Sequence, residues 1–446
     1  MTRLKRDKRD VPAAIMGPRL ILLLCVLTLT LIGFVMIYSA SSVSALSEGE
    51  NPLSYLTDQV KFAAIGVVCA LVLWKVLPYS FWEGPAIWII WGLAIVLLAL
   101  TAAVGTAALG AQRWLQLGPI GLQPSEFAKI AFVLMAARIL NNFRSGSLSV
   151  RDLFVQVGLL ILVPILFLYK TQSDLGTTLI CFVGILAVMW LGEVPMRVIL
   201  ITLAVGAVFA VLATVLTGYR SDRFVYLDPW NDGENGYGKG YQIIHSYYAF
   251  SEGGLFGVGL GNSREKFLYL PEAETDFIFA IIGEELGLVG ALFIVALFML
   301  ILYAGMRIAR SAPDGFGAMM AGGCTIMIVF QAFLNIGCVI GVLPTTGKPL
   351  PFVSSGGSSL IATFIMVGLV LSVSNGAGSP TIYDRRRADL RVVRAEAPRS
   401  QNDRSEDRRA SSRTGRSRIS SSRPAAEGPR PARRGAPRDS SRQGRR

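Results

Sequence analysis

Histidine is almost absent from this chain, and charge is scarce over most of its length. A single histidine, His245, excludes a metal site built from several imidazoles. The five cysteines all fall inside apolar runs at spacings that match no metal-binding pattern, so we interpret them as small buried apolar residues. Charged residues make up only 16% of the 446 residues, well below the share that is usual in soluble domains.

Long hydrophobic runs occupy most of the chain instead. The residues AVILMFWYC make up 52% of it, and the mean hydropathy is +0.51. Because a membrane-spanning helix needs about 20 apolar residues, we predict an all-α polytopic membrane protein with about ten transmembrane helices. The predicted spans are 20–38, 62–77, 86–104, 126–140, 153–168, 175–191, 198–216, 277–302, 318–340 and 358–373.

The net charge of +13 resides almost entirely in the C-terminal tail. Residues 376–446 contain 20 arginines and only eight acidic residues, so the rest of the chain is nearly neutral. This tail is rich in Arg, Ser and Pro and poor in aliphatic residues, which is typical of disorder. We predict a basic N-terminus (1–17), a membrane domain (18–375) and a disordered tail that lies near anionic lipid rather than on nucleic acid.

The distribution of basic residues predicts the orientation in the membrane. By the positive-inside rule, the basic N-terminus and the Arg-rich tail are both cytoplasmic, as an even number of spans requires. The connection 217–275, between the seventh and eighth spans, then lies outside and is too long for a passive link. It contains a Gly-rich stretch at 253–261. Since irregular backbone at membrane depth survives only against protein or a water-filled cavity, we expect this loop to fold over an outward cavity.

A cluster of carboxylates marks the end of this loop, within LYLPEAETDFIFAIIGEELG at 268–287. Acidic residues at a membrane entry are costly and are therefore candidates for function. Asp276 precedes a predicted helix, so it either stabilises the helix dipole or acts as a general base. At about 100° per residue, Glu284 lies about 80° from Asp276 and Glu285 about 180°. We predict that Glu284 faces the same cavity as Asp276 and that Glu285 pairs elsewhere.

Three further charged residues are candidates for a structural ion pair within the membrane. Glu126 and Lys129 are three residues apart at the start of the fourth span, where they can neutralise each other. Alternatively, Lys129 reaches Asp174, which opens the sixth span. In either arrangement we interpret the group as structural.

Cationic and aromatic residues of the outward segments are candidate substrate contacts. Arg113 and Trp114 lie in one such loop, where the tryptophan either anchors the interface or packs against a sugar. Arg264 and Lys266 follow the Gly-rich stretch, whose backbone amides could help to hold an anionic head group. Lys348 is the only lysine in a Pro- and Ser-rich stretch that we expect to line the same cavity.

Four blocks, in this order along the chain, resemble the SEDS family (shape, elongation, division and sporulation), most closely its division member. They are 110–129 (GAQRWLQLGPIGLQPSEFAK), 172–176 (QSDLG), 240–287 and 343–359 (LPTTGKPLPFVSSGGSS). The resemblance covers about residues 15–375 but not the tail. It implies a ten-helix membrane fold, in agreement with the hydropathy pattern.

This resemblance implies a peptidoglycan glycosyltransferase that polymerises lipid II at the division septum of the cell membrane. Asp276 would be the essential carboxylate, and Trp114 would also be functionally important. The implied partners are a class B penicillin-binding protein, which is a transpeptidase, and other division proteins. Two positions depart from the division pattern: Leu268 stands where an acidic residue is common, and Ser355 stands where tyrosine is common.

We expect two lipid-linked disaccharides to meet in the outward cavity, where Asp276 takes the proton of the acceptor hydroxyl. Lys348, Arg264, Arg113 or a divalent cation could stabilise the leaving pyrophosphate. The sequence shows no dense carboxylate cage, so any Mg²⁺ or Mn²⁺ would be held largely by the pyrophosphate, and no metal ligand is assigned.

Three other functions share many of these features. They are a lipid II flippase, an elongation-type polymerase of the same family and a non-catalytic scaffold. Transport alone would not need an outward carboxylate at the edge of the loop, whereas proton abstraction would.

Overall fold

A computed structural model shows a bundle of long apolar helices. It describes residues 13–108, 111–117, 120–216, 225–238 and 240–376, so all but the first residue of the predicted tail (376–446) lies outside the described residues. The helices are α1 (Ala13–Ser47), α2 (Ser54–Lys75), α3 (Ala86–Val104), α4 (Pro124–Arg144), α5 (Val150–Val157), α6 (Val163–Gln172), α7 (Leu175–Leu191), α8 (Met196–Leu216), α9 (Tyr241–Gly253), α10 (Ile278–Arg310), α11 (Gly315–Val339) and α12 (Gly357–Ser374).

Every predicted span coincides with a helical segment. By length and composition, α1, α2, α3, α10, α11 and α12 can each cross a membrane, as can the continuous helix formed by α5, one π-helical turn and α6. The shorter apolar helices α7 and α8, together with α4, occupy the three remaining positions. The prediction of a polytopic helical membrane protein is therefore confirmed, and α9 is an additional helix within the long loop.

The connection between α3 and α4 forms a small sheet that the hydropathy pattern did not predict. Its strands are β1 (Thr106–Ala108), β2 (Ala111–Leu117) and β3 (Ile120–Leu122), and both strand pairs are antiparallel. Trp114 pairs with Thr106 across the first two strands. Because neighbouring side chains on a strand point to opposite faces, Arg113 and Trp114 face different surroundings.

The centre of the bundle is formed by α11, α12 and α4, whose side chains are mostly buried. Helix α12 packs on α2, α11 packs on α7 and α10, and α1 packs on α10. The outer helices expose many large apolar side chains, which include Leu24, Ile89, Val96, Leu200 and Val205. Such a surface is compatible with a hydrocarbon environment and costly in water.

Polar contacts define two ends of the bundle. At one end Arg19 donates from Nε to Ser374 Oγ and from a terminal nitrogen to Asn375 Oδ1, each over 2.7 Å. Trp74 Nε1 also donates to Asn375 Oδ1, over 3.2 Å. The start of α1 therefore lies beside the ends of α2 and α12, as an even number of spans requires. We call the opposite end, where α10 begins, the Asp276 end.

Helix α10 is interrupted at Gly287, where φ is +68° and ψ is −171°. The Gly-rich segment that precedes α10 in sequence supplies the missing backbone partners. The N–H groups of Leu288 and Val289 donate to the carbonyls of Gly254 and Leu255 over 3.0 and 3.2 Å. Two further bonds run the opposite way, from N–H groups of the segment to carbonyls of α10.

Both backbones at this contact require glycine. Gly257 has φ of +79°, and a Cβ there would lie 2.2 Å from the carbonyl oxygen of Glu285. A Cβ on Gly287 would lie 2.3 Å from the nitrogen of Gly257. The Gly-rich stretch is therefore packed closely against α10.

Candidate active site

Asp276 lies where the loop before α10 meets the first turn of that helix. Its side chain is half-buried, and among the described residues its carboxylate forms no hydrogen bond. Gly347, with φ of +63°, faces it so closely that a Cβ there would lie 3.4 Å from Asp276 Oδ2. The carboxylate is therefore enclosed by the α11–α12 loop without being neutralised by it.

These surroundings make the Asp276 carboxylate more basic than an ordinary aspartate. Burial raises its pKa to about 6, the negative charge of Glu272 adds to the rise, and Lys348 and Arg113 oppose it. A carboxyl group with this pKa is mostly ionised at neutral pH, yet it accepts a proton more readily than an exposed aspartate does. It therefore has the properties of a general base.

Four buried charged residues, Glu126, Lys129, Asp174 and Lys348, form what we call the four-charge network. Lys348 Nζ lies 3.1 Å from Glu126 Oε1 and 2.8 Å from Asp174 Oδ2, and Lys129 Nζ lies 2.6 Å from Glu126 Oε2. Two positive and two negative charges balance. Balanced and hydrogen-bonded charges offset much of the desolvation cost of burial.

The network differs in part from its prediction. The Glu126–Lys129 pair forms, as the first of the two alternatives predicts. Asp174, however, pairs with Lys348 and not with Lys129. Lys348 was predicted as a substrate contact and needs correction: it is only 3% exposed, and two carboxylates hold its ammonium group. A buried ammonium is stable only with such partners. Lys348 therefore belongs to the network.

Arg113 and Trp114 are brought to the Asp276 end by β2. Arg113 is half-buried, and its guanidinium donates to the carbonyls of Gln172 (3.0 Å) and Ser173 (3.1 Å). Its charge acts on both Asp276 and Asp174. Arg113 therefore lies within electrostatic reach of any group that forms beside the Asp276 carboxylate.

Lys266, Glu284 and Glu285 form a second buried cluster with Ser39 and Ser263, which we call the loop anchor. Lys266 Nζ lies 3.2 Å from Glu285 Oε1 and 3.2 Å from Ser39 Oγ, and Ser39 Oγ donates to Glu285 Oε1 over 2.6 Å. Ser263 Oγ donates to Glu284 Oε2 over 2.5 Å. These contacts tie the loop to α10 and α1.

The loop anchor corrects two predictions. Glu284 does not face a cavity with Asp276, because it is fully buried and accepts bonds from Ser263 Oγ and the N–H of Arg264 (2.6 Å). Lys266 is buried and engaged with Glu285, so its ammonium does not face substrate. The expectation that Glu285 pairs away from Asp276 agrees with its contact to Lys266.

Arg264 is, among the described residues of this loop, a cation that is open to solvent. Its side chain is 78% exposed, and a terminal nitrogen lies 3.3 Å from Glu252 Oε1. An exposed pair of this kind is weak. The guanidinium can therefore leave Glu252 for another anion at little cost.

Three buried amides of the site were not recognised as site residues in the sequence. Gln331 of α11 accepts from Lys129 Nζ (2.7 Å), and its Nε2 donates to the carbonyl of Pro349 (3.0 Å). Asn335, one turn further on, donates to the backbone carbonyls of Asp276 and Lys348. Gln172 is fully buried, yet neither end of its side-chain amide has a partner among the described residues. Helical spacing places Gln331 and Asn335 on one face of α11, which is the signal that could have found them.

A cavity of about 310 Å³ opens at the Asp276 end between α1, α2 and the α11–α12 loop. Glu48, Glu50, Asp58 and Tyr55 line it together with Ser355. The N–H of Ser355 donates to the carbonyl of Glu274, two residues before Asp276, over 2.9 Å. This acidic cavity is therefore linked to the segment that carries Asp276 by one backbone hydrogen bond, although Asp276 itself does not line it.

The bundle and its charged end together define a polytopic helical membrane protein with a half-buried carboxylate of raised pKa at one end. The family follows from the sequence as a whole. Residues 19–378 match the family model for FtsW, RodA and SpoVE, which is described as "Cell cycle protein", and the chain belongs to this family.

Individual relatives agree with this membership. The chain is 37% identical over 391 residues to a protein of Nitrosococcus halophilus named "Probable peptidoglycan glycosyltransferase FtsW", covering 86% of this chain and 99% of that protein. It is 38% identical over 360 residues to "Stage V sporulation protein E" of Bacillus subtilis, covering 80% and 97%. A solved chain from work titled "Structural coordination of polymerization and crosslinking by a peptidoglycan synthase complex" aligns with a TM-score of 0.64 and 29% identity, covering 80% of this chain and 97% of that one.

Proposed function

We propose that this chain is a peptidoglycan glycosyltransferase that polymerises lipid II during cell division, with Asp276 as the general base. The name of the Nitrosococcus halophilus relative supports the reaction class. The observation that carries the assignment of the base is the half-buried Asp276 carboxylate, which lies free of hydrogen bonds among the described residues with a pKa of about 6.

In the proposed reaction, the Asp276 carboxylate accepts the proton of a sugar hydroxyl on the acceptor lipid. The hydroxyl oxygen forms a bond to the anomeric carbon of the donor sugar. The bond from that carbon to the donor's undecaprenyl pyrophosphate breaks, and the pyrophosphate leaves with the electron pair. Asp276 then releases its proton to solvent, which restores the carboxylate for the next addition.

The developing negative charge on the leaving pyrophosphate needs a cation near Asp276. Arg113 fits this role best, because its charge already acts on Asp276 and its guanidinium is only half-buried. Arg264 is a second, more exposed candidate. Trp114, the neighbour of Arg113 on β2, is proposed to contact a sugar ring.

A divalent cation would have few protein ligands in this site. Within the described residues, no group of three or more His, Cys, Asp or Glu side chains is arranged to hold a metal ion. We therefore assign no step to a metal and propose that any Mg²⁺ or Mn²⁺ would be held largely by the substrate pyrophosphate.

The proposed cellular setting follows from the charge pattern and from a relative in a complex. We propose that both termini lie in the cytoplasm, because the basic residues favour that side, so that the Asp276 end would face outward. The synthase complex that contains the similar solved chain coordinates polymerization with crosslinking. We propose a class B penicillin-binding protein and other division proteins as partners, and the septal membrane as the location.

The decisive experiment supplies purified Asp276→Asn protein with lipid II, with and without the partner transpeptidase. We expect no glycan chains, because the amide cannot accept the proton. The matched control is Glu252→Gln, which removes an exposed carboxylate of α9 and should polymerise as the wild type does. Full polymerisation by a correctly folded Asp276→Asn protein would refute the proposed base. Movement of lipid II across vesicles without chain formation by the wild type would indicate a flippase instead.

A further inference from the structure

We propose that Asn335 is a positioning residue for the reaction: its side-chain amide holds the backbone of Asp276 against that of Lys348 and so fixes the carboxylate relative to the four-charge network. This inference rests on the proposed role of Asp276 as the base. It assigns a task to a buried residue of α11 that was not recognised as a site residue in the sequence.

The contacts of Asn335 join two irregular segments. Its Nδ2 donates to the carbonyl oxygen of Asp276 over 2.7 Å and to the carbonyl oxygen of Lys348 over 2.8 Å. One amide nitrogen carries two hydrogens, so its donor capacity is used in full. Asp276 and Lys348 belong to different loops, and this one nitrogen brings their backbones together.

The orientation of the amide is fixed by its surroundings. If the amide were flipped, Oδ1 would face two carbonyl oxygens, which are acceptors and cannot bond to it. Asn335 is 2% exposed, and its Oδ1 has no partner among the described residues. An asparagine that served only to pack the helix would be expected to form hydrogen bonds with both Oδ1 and Nδ2, because an unpaired buried oxygen is costly. The two bonds donated by Nδ2 therefore explain why an asparagine stands at position 335.

The position of Asp276 makes this anchor important. Helix α10 begins at Ile278, and Phe277 has a non-helical backbone (φ −108°, ψ 15°), so Asp276 lies outside the regular helix. Without Asn335, the carbonyls of Asp276 and Lys348 would lose their shared donor. The segment carrying the carboxylate could then shift relative to Gly347, which it faces closely. A displacement of about 1 Å in a reacting group can cost on the order of 100-fold in rate.

The test uses two variants of the full chain with its partner and lipid II as substrate. Asn335→Leu has a similar volume and no donor, and we expect kcat to fall about 10- to 100-fold while KM changes less than about 3-fold.

Asn335→Asp places a carboxyl group near Asp276, and we expect the acidic limb of the pH–rate profile to move to higher pH. The control is Asn375→Leu, which removes an asparagine of the opposite end and should leave kcat and the pH profile unchanged.

The outcomes separate this inference from the assignment of the base. If Asp276→Asn is inactive while folded Asn335→Leu keeps the wild-type kcat, only the positioning role is overturned. A purely structural role for Asn335 predicts less folded protein but an unchanged kcat and pH profile per folded molecule, and that result also overturns it. If Asn335→Leu does not fold, the pH profile of Asn335→Asp decides. Full activity of Asp276→Asn overturns both proposals.

Discussion

The two buried charge clusters of this protein are built from the same residue types but differ in balance. The four-charge network pairs two lysines with two carboxylates, and each ammonium contacts at least one carboxylate. The loop anchor has two carboxylates and one lysine, and Glu285 Oε2 has no partner among the described residues. The first cluster acts electrostatically on Asp276 through Lys348 and Asp174, whereas the causes of the Asp276 pKa include no member of the second.

This difference separates two tasks that buried charges perform. The balanced network contributes to the pKa of the Asp276 carboxylate, which is the group proposed to react. The loop anchor attaches the long loop to α10 and α1 and relies on serine hydroxyls as much as on charge. We therefore expect damage to the first cluster to reduce both stability and chemistry, and damage to the second to act mainly on stability.

The largest effect is expected for Lys348→Met. This change leaves Asp174 without its lysine and Glu126 with only one cation, inside a buried site. Breaking a buried ion pair by removing one partner typically costs about 3–5 kcal/mol, so thermal unfolding in detergent should occur at a much lower temperature and polymerisation should be lost. Lys61→Met removes an exposed pair with Asp58 and serves as the control. Equal melting temperatures for the two variants would contradict the structural importance of the network.

Lys266→Met should have a smaller effect on the loop anchor. Glu285 keeps its bond from Ser39 Oγ, so we expect a loss of about 2 kcal/mol in the free energy of unfolding. The rate of polymerisation per folded molecule should remain within about 3-fold of the wild type, since the described contacts of Lys266 are with Glu285, Ser39 and Gly261 and not with Asp276. Unfolding curves and initial rates from the same preparation check both points. A variant that is stable but inactive would show that the loop anchor takes part in the chemistry.

The pH dependence of the reaction sharpens the contrast further. The folded pKa of Asp276 is about 6, above its ordinary value, so the ionised and active form declines as the pH falls through 6. One pH unit below that value, only about a tenth of the carboxylate is ionised, and the rate should fall about tenfold. Glu272→Gln removes a charge that raises this pKa and should move the acidic limb to lower pH, whereas Glu252→Gln should not. An unshifted limb for Glu272→Gln would exclude Asp276 as the titrating group.

The smallest effect is expected for Gln172→Met. Neither end of the Gln172 amide has a partner among the described residues. Exchanging it for an apolar side chain of similar length therefore removes the desolvation free energy of an unpaired buried amide. We expect a change below about 1 kcal/mol, or a gain in stability. Gln331→Met, which loses bonds to Lys129, Pro349 and Ser359, should cost more. A marked loss of stability in Gln172→Met would show that its amide is bonded after all.

Local patterns in the sequence were enough for the helices and for the placement of Asp276. Apolar runs of the right length identified each span, and the Glu126–Lys129 pair follows from a spacing of three residues on one helix. The partners of Lys348 could not be found in this way, since Asp174 and Glu126 are 174 and 222 residues away. Only the packing of α4, α7 and the α11–α12 loop brings these charges together.

The incorrect placement of Glu284 has a specific cause. The angular argument assumed one regular helix from Asp276 onward, whereas α10 begins at Ile278 and Phe277 before it has a non-helical backbone. The small sheet at 106–122 was missed because two of its strands have only three residues, too few for a recognisable alternating pattern.

The break at Gly287 has a consequence for how the protein is made. In the chain, the segment that completes the α10 backbone comes before α10 itself, so it is synthesised first. The backbone of α10 is therefore completed by a segment that was made before it. A side chain at position 257 or 287 would clash with the facing backbone, so we expect it to impair assembly of the membrane domain rather than the chemistry of a folded protein.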